Sequence, residues 1–258
     1  MQESDYFEMN RQGWDKRTAV HIGSKFYDVA GFLNGQTSLR EIELNALPDV
    51  AGKSLLHLQC HFGMDTLSWA RQGAQCTGVD ISPAAIEQAE RLAKKADLNA
   101  EFICSDLYSF TRTRKTPYDI VFTSYGTICW LPDLTRWAKV VSDNLVEGGR
   151  FFIADFHPIY DLLAGYSYFT RIEPDIDEEG TYTDGGEAAK TKLASWSHPI
   201  SSQINALIKA GIDIEQVQEF PFSPYNCFEG MTEREPGRFY MTHQQNDVPI
   251  VYTISGVK

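Results

Sequence analysis

The chain has 258 residues, enough for one large α/β domain or at most two small ones, and its 43% hydrophobic and 22% charged residues are those of a globular protein, not a disordered one. Its formal net charge of -12, with no basic run to offset it, repels a phosphate backbone, so nucleic acid is not an expected partner. No stretch of about eighteen apolar residues is present to span a membrane, and the acidic, polar start MQESDYFEMN is unlike a secretory signal, so a cytoplasmic location is expected.

Residues Trp14 to Leu47 read as a mainly helical N-terminal extension that ends near Pro48 and Gly52. From Lys53, short apolar runs alternate with helical stretches, the pattern of a parallel sheet with crossover helices. The expected strands are Ser54 to Leu58, Gln75 to Val79, Ala100 to Cys104, Tyr118 to Thr123 and Arg150 to Ala154. Ser82 caps a helix with Pro83 in its first turn and Ala85, Ile86, Ala89, Leu92 and Ala93 inward. A second helix follows Asp133, turns Leu134, Trp137, Ala138, Val141 and Leu145 inward, and ends near Gly148 and Gly149. From Phe156 to Trp196 the periodicity fades; this stretch is expected to be an insertion that serves as a lid. A helix from Pro199 to Ala210, a strand from Ile212 to Phe220, a proline-bearing loop and a last strand from Val248 to Ile254 complete the chain.

Open α/β sheets bind ligands at the carboxyl ends of their strands. Here those ends carry the loop QCHFG after the first strand, Asp80 after the second, Asp106 beyond the third, and Ser124 to Gly126 after the fourth. Asp80, about twenty residues past the first loop, is placed to accept hydrogen bonds from ribose hydroxyls of any adenosine cofactor. Asp106, in CSDLYSF, stands where a carboxylate can accept from an adenine amino group.

In order and spacing, LLHLQCHFG, TGVDIS, CSDLYSF, YDIVFTSYG and LVEGGRFFIADF resemble the successive motifs of class I S-adenosylmethionine-dependent methyltransferases. The resemblance implies an α/β fold, a Rossmann-like seven-stranded sheet with helices on both faces, whose last strand runs antiparallel between the fifth and sixth. It implies S-adenosylmethionine as cofactor, S-adenosylhomocysteine as product, and a small-molecule methyl acceptor, whose pocket Trp14, Tyr27 and the lid aromatics are candidates to shape. The cofactor residues it implies are Gln59, Cys60, His61 and Gly63 in the first loop, Asp80 and Ile81 at the ribose, Asp106 and Leu107 at the adenine, and Ser124 and Tyr125 beside the methionine. This chain departs from the family at the first motif. Where an acid and three alternating glycines are usual it has His57, Gln59, His61 and Gly63, so only the last glycine remains. The side chains of Gln59 and His61 must therefore point away or take over contacts to the methionine carboxylate.

Plainer readings stand beside these. His57, Cys60 and His61 alternate across the strand and do not converge as metal ligands, so no metal is expected; His57 is expected to support the loop through hydrogen bonds. The five cysteines form no CxxC pair and fit reduced thiols. His157, after the fifth strand, is either a strand-end histidine bonded to backbone or a general base for the acceptor's proton, a role for which Tyr125 is the other candidate. The acidic run Glu173 to Glu187 is expected to be a solvated mobile loop. Two rival functions remain: a nicotinamide-dependent oxidoreductase, disfavoured by the missing G-x-G-x-x-G, and a non-catalytic S-adenosylmethionine-binding protein.

Overall fold

A computed structural model describes residues 1–258. In chain order the elements are α1 (Glu3–His21), α2 (Val29–Leu33), α3 (Glu41–Ala46), β1 (Ser54–Leu58), α4 (Met64–Arg71), β2 (Gln75–Asp80), α5 (Pro83–Ala96), β3 (Ala100–Cys104) and β4 (Tyr118–Ser124). There follow α6 (Leu134–Asn144), β5 (Leu145–Phe156), α7 (Ile159–Leu163), β6 (Asp175–Glu179), β7 (Thr191–Ser195), α8 (Ile200–Lys209) and β8 (Asp213–Phe220). The short strands β9 (Phe222–Ser223), β10 (Thr232–Glu235), β11 (Arg238–Tyr240), β12 (Thr242–His243) and β13 (Asn246–Asp247) precede β14 (Val251–Val257).

Seven strands form the main sheet in the order β3-β2-β1-β4-β5-β14-β8. The first five are parallel, and β14 runs antiparallel to both of its neighbours, β5 and β8. This is the expected topology. Order reverses at β1, where β2 lies on one side and β4 on the other, so a crevice opens beyond the carboxyl ends of these strands.

Both faces of the sheet are covered, and the strand sequences show why. Successive side chains of a strand point to opposite faces. Leu56, Val121, Phe151 and Ile153 pack with Trp137 and Val141 of α6 and Leu207 of α8. Their neighbours Leu55, Ile120, Phe122 and Phe152 pack instead with Trp69, Leu39 and Val50. Continuous apolar runs are what a sheet buried on both faces requires.

The expected caps form. Ser82 Oγ accepts from Ala85 N at 3.0 Å with Pro83 at the start of α5, and Asp133 Oδ1 accepts from Thr135 N at 2.8 Å. Other expectations need correction. The N-terminal helix begins at Glu3, well before Trp14, and residues 22–47 hold only the short helices α2 and α3. α6 stops at Asn144 because Leu145 is fully buried and pairs with Tyr118 as the first residue of β5. Gly148 and Gly149 therefore belong to that long strand, bonded to the last residue through Gly148 N to Lys258 O and Lys258 N to Gly149 O. The final strand starts three residues later than expected, after Pro249, which has no N–H for the ladder. The acidic run is not a plain loop: Asp175–Glu179 pairs in register with Thr191–Ser195 as a hairpin. The proline-bearing segment likewise contains a small antiparallel sheet, β10-β11-β9, and the β12-β13 pair.

Candidate functional site

One cavity of about 1110 Å³ occupies the crevice, above the size range of most small-molecule sites. All the residues expected at the cofactor, Gln59, Cys60, His61, Gly63, Asp80, Ile81, Asp106, Leu107, Ser124 and Tyr125, line it, and so does His157.

The loop between β1 and α4 resolves the question raised by its missing glycines. Gln59 has φ 57° and His61 φ 50°, so both adopt the left-handed conformation in which glycine is usual, followed by Gly63 at φ 79°. Such conformations cost of order 1–3 kcal/mol per non-glycine residue and persist only where surroundings enforce them. Cys60 N donates to Val79 O at 2.9 Å, His61 N to Asp80 Oδ2 at 2.8 Å, and Gly63 N to Cys60 O at 3.0 Å. Gln59 Nε2 donates to Thr127 O at 3.0 Å, and His61 Nε2 meets His21 Nδ1 at 2.8 Å. Gly63 cannot be replaced in the same way, since a Cβ there would lie 2.7 Å from the Phe102 ring and 2.9 Å from Ala89 Cβ.

Asp80 ends β2. Its Oδ2 takes the His61 amide and its Oδ1 the Ser82 amide at 2.9 Å, so one carboxylate fixes the first loop and the start of α5. Burial pushes its carboxyl up to about 6, against the pull of those amides. Asp106 closes a tight turn, Oδ1 accepting from Tyr108 N at 3.0 Å and Ser109 N at 2.9 Å. Ser124 Oγ donates to Asp65 Oδ2 at 3.0 Å and lies 3.3 Å from His57 Nε2, while His57 Nδ1 meets Thr66 Oγ1 at 2.8 Å. Tyr125 has φ 25°, and its hydroxyl donates to Glu43 Oε2 at 3.1 Å. Burial, with Asp65 adding to it, pushes the Glu43 carboxyl up to about 7. His157 Nδ1 accepts from Ile159 N at 3.0 Å, so Nε2 carries the hydrogen and donates it to Glu219 Oε1 at 2.7 Å. Both of its nitrogens are engaged.

Several site residues were not singled out in the sequence. Asp155 gathers the loop after β4: Gly126 N donates to Oδ1 at 2.5 Å, while Thr127 N, Ile128 N and Thr127 Oγ1 donate to Oδ2 at 3.1, 3.1 and 2.9 Å. A lone acid closing the apolar strand FFIADF was the available signal. α1 forms a roof, with Phe7, Asn10 and Arg17 lining the cavity beside Trp14, which the sequence offers for the acceptor pocket. Asp15 Oδ1 takes Ser82 Oγ at 2.6 Å, and Trp14 meets Trp130 edge-on at 5.6 Å, docking the helix on the core. The β6-β7 hairpin is joined to α1 through Arg17 to Glu179 (2.9 Å), a reciprocal Asn10–Ala194 pair and His21 to Thr181 (2.6 Å). α1 is nearly devoid of apolar periodicity, so nothing in its sequence marked it as a roof. Arg40 is the other addition. It lines the cavity, lies 4.9 Å over the Tyr225 ring, and its buried Nε has no hydrogen-bond partner.

The orphaned polar atoms describe the group that fits. Arg40 Nε is a buried donor without an acceptor, and Gln59 Oε1 is a buried acceptor without a donor. A buried polar group normally has a partner, so each marks a place for one. An amino-acid head offers a carboxylate for the first and an ammonium for the second. Asp80 and Asp106, at or just beyond successive strand ends, line the same cavity.

Comparison with known proteins agrees. A family model described as a methyltransferase domain matches residues 55–149. The chain is 21% identical over 243 residues to the ubiquinone biosynthesis O-methyltransferase of Saccharophagus degradans, covering 92% of this chain and 97% of that one. It is 26% identical over 150 residues to the protein of the same name from Coxiella burnetii, covering 57% and 62%. The fold is that of an S-adenosylmethionine-dependent methyltransferase from Mesorhizobium loti, with TM-score 0.59 and 22% identity over 88% of this chain and all of that one. It is likewise that of a Clostridium acetobutylicum methyltransferase, with TM-score 0.57 and 13% identity over 92% and 94%.

Proposed function

We propose that this chain is an enzyme that transfers a methyl group from S-adenosylmethionine to a small-molecule acceptor, a reading supported by the match of residues 55–149 to a methyltransferase-domain family model and by the order of the seven-stranded sheet. The carrying observation is that carboxylates at the ends of β2 and β3, with unpartnered Arg40 and Gln59 atoms, line one cavity. In this reading Asp80 holds the ribose, Asp106 and Leu107 the adenine, and Arg40 the methionine carboxylate. Gln59 Oε1 accepts from the ammonium, and Gly63 leaves room for the close approach of the chain. Ser124 and Tyr125 stand beside the methionine, while Cys60 and Ile81 complete the walls.

The cofactor supplies an activated methyl group on a sulfonium, which leaves as the sulfur becomes neutral. What remains for the protein is alignment and exclusion of water. Rings of Trp14, Trp130 and Tyr27 close the cavity on the N-terminal side. Tyr160 and Phe228, stacked at 3.8 Å, line it together with Tyr225 and are placed to receive the acceptor's apolar body. The two relatives named O-methyltransferases support an oxygen as the acceptor atom. Of the two candidates for the acceptor's proton, the His157 ring is engaged at both nitrogens, and burial with the Glu43 carboxylate beside it holds the Tyr125 phenol protonated, so we assign Tyr125 the role of a hydrogen-bond partner that orients the acceptor oxygen rather than of a base.

Calorimetric titration with S-adenosylmethionine, S-adenosylhomocysteine and NAD tests the reading. We expect binding of the first two and none of the third. Binding of NAD alone would overturn it.

A further inference from the structure

Glu43 has no duty in the reading above, yet it is fully buried, at 0% exposure, with no ion-pair partner. Its Oε2 accepts from the Tyr125 hydroxyl at 3.1 Å and its Oε1 from Arg40 N at 3.3 Å. The charged and titratable groups around it come from four places. Arg40 precedes it on its own helix, Asp65 faces it from α4, Tyr125 from the end of β4, and Tyr225 from the segment after β9. His57 lies behind Asp65, kept neutral by burial. Arg40 is the one permanent cation among them, set against two carboxyl groups.

We propose that Glu43 is a proton-binding site coupled to the cofactor, taking up a proton when a carboxylate is bound at Arg40. This rests on the placing of the methionine carboxylate against Arg40. With the head's ammonium turned to Gln59 Oε1 and its carboxylate to Arg40, a third carboxylate shares the one cation beside Glu43, and the strain is relieved most cheaply by protonating the carboxyl that solvent cannot reach. Glu43 is already held near neutrality by its burial, so little is needed to tip it. Once neutral, its O–H donates to Tyr125 Oη and reverses the existing hydrogen bond. The Tyr125 hydrogen is then released to point elsewhere in the cavity. Proton uptake thus couples cofactor loading to the orientation of a hydroxyl beside the acceptor.

The experiment is titration of the full chain with S-adenosylhomocysteine in phosphate and in Tris at about pH 7.5, buffers whose ionisation heats differ widely. In the wild type the two apparent enthalpies should differ by the uptake of up to about one proton. By linkage Kd should tighten as pH falls from about 8.5 to about 6.5, tenfold for each unit by which the Glu43 pKa rises on binding. Glu43→Gln should abolish the buffer difference and flatten Kd over that range. Tyr125→Phe removes a hydrogen bond that favours the ionised form, so it should move the uptake window to higher pH; this comparison serves if Glu43→Gln does not fold. Equal enthalpies in the two buffers for the wild type overturn the inference, as does uptake that survives in Glu43→Gln. Binding without uptake overturns this inference alone, whereas no binding at all overturns the cofactor reading and takes the inference with it.

Discussion

Asp80 is asked to do two things with one carboxylate. It holds the amides of His61 and Ser82, and in the proposed function it accepts from ribose hydroxyls with its remaining lone pairs. Asp80→Ala should therefore weaken S-adenosylhomocysteine binding by roughly 1.5–3 kcal/mol, the scale of hydrogen bonds to a charged group. An unchanged Kd with an intact fold removes the ribose assignment. Acid should act in the same direction. A free-protein pKa of about 6 means that the carboxylate accepts fully above that value and is progressively protonated below it. Affinity should thus fall between about pH 6.5 and about pH 5 in the wild type, and this acid limb should be absent in Asp80→Ala. It lies below the range assigned to Glu43, so the two residues separate on one pH curve. Gln59 and His61 pose a different question at this scale, since each has a strained backbone and a side-chain partner. Gln59→Ala should lower affinity by about tenfold or more, because it deletes the unpartnered Oε1 assigned to the ammonium, with roughly 1.5–3 kcal/mol as the scale of a hydrogen bond to a charged group. His61→Ala should lower the melting temperature more than the affinity, because its ring is tied to His21. Titration and thermal melts on both variants check this, and the opposite pattern would sink the division of labour.

Among elements, the loop after β4 depends most on one side chain. Asp155 receives four hydrogen bonds from residues 126–128, and no other group stands ready to replace it. Asp155→Ala leaves the buried N–H groups of Thr127 and Ile128 unsatisfied, at about 1–3 kcal/mol each before relaxation, releases the half-buried Gly126 N–H, and frees Tyr125 and Trp130 to move. A loss of several kcal/mol in denaturant unfolding is expected; a loss under about 1 kcal/mol would show that the loop is held by other means. Strand and helix positions along 54–144 were legible because each carries a local signal. Leu55 and Leu56 serve opposite faces, and Ser82 and Asp133 cap their helices. Of the roof only Trp14 stood out, as an aromatic for the acceptor pocket, and its way of docking was not legible. Trp14 and Arg17 act through partners about 115 and 160 residues away, Trp130 and Glu179, and no local pattern records such a pairing. The hairpin was missed for a related reason, because Asp175, Asp177 and Glu179 are poor strand formers stabilised by register with Thr191–Ser195. In the site, the strand-end acids could be found by position alone. Arg40 could not, because it precedes the first strand and is brought to the cavity by tertiary packing.

For the whole molecule, the two sides of the sheet share the load and the cofactor adds to it. Trp137 is fully buried against Phe151, and Trp137→Ala should cost about 3–5 kcal/mol without abolishing cofactor binding in the folded fraction. Saturation with S-adenosylhomocysteine should restore about 2.7 kcal/mol at one hundred times Kd, seen as a raised melting temperature. Absence of any thermal shift at that ratio would contradict specific binding to the folded state. The position of β14 adds a constraint of another kind. Its ladder partners are Arg150–Phe156 on one side and Asp213–Phe220 on the other, so it is an interior strand that comes later in the chain than both strands it joins. On the ribosome, β1 to β5 can pair as they emerge, but β8 has no neighbour to join until β14 arrives to bridge it. Until then β5 presents an open edge with Phe151, Phe152 and Ile153 beside it, the kind of unpaired apolar strand that recruits other chains. The nascent protein is therefore most vulnerable to aggregation in the interval of nearly a hundred residues between the synthesis of β5 and that of β14, when its sheet is still open in the middle.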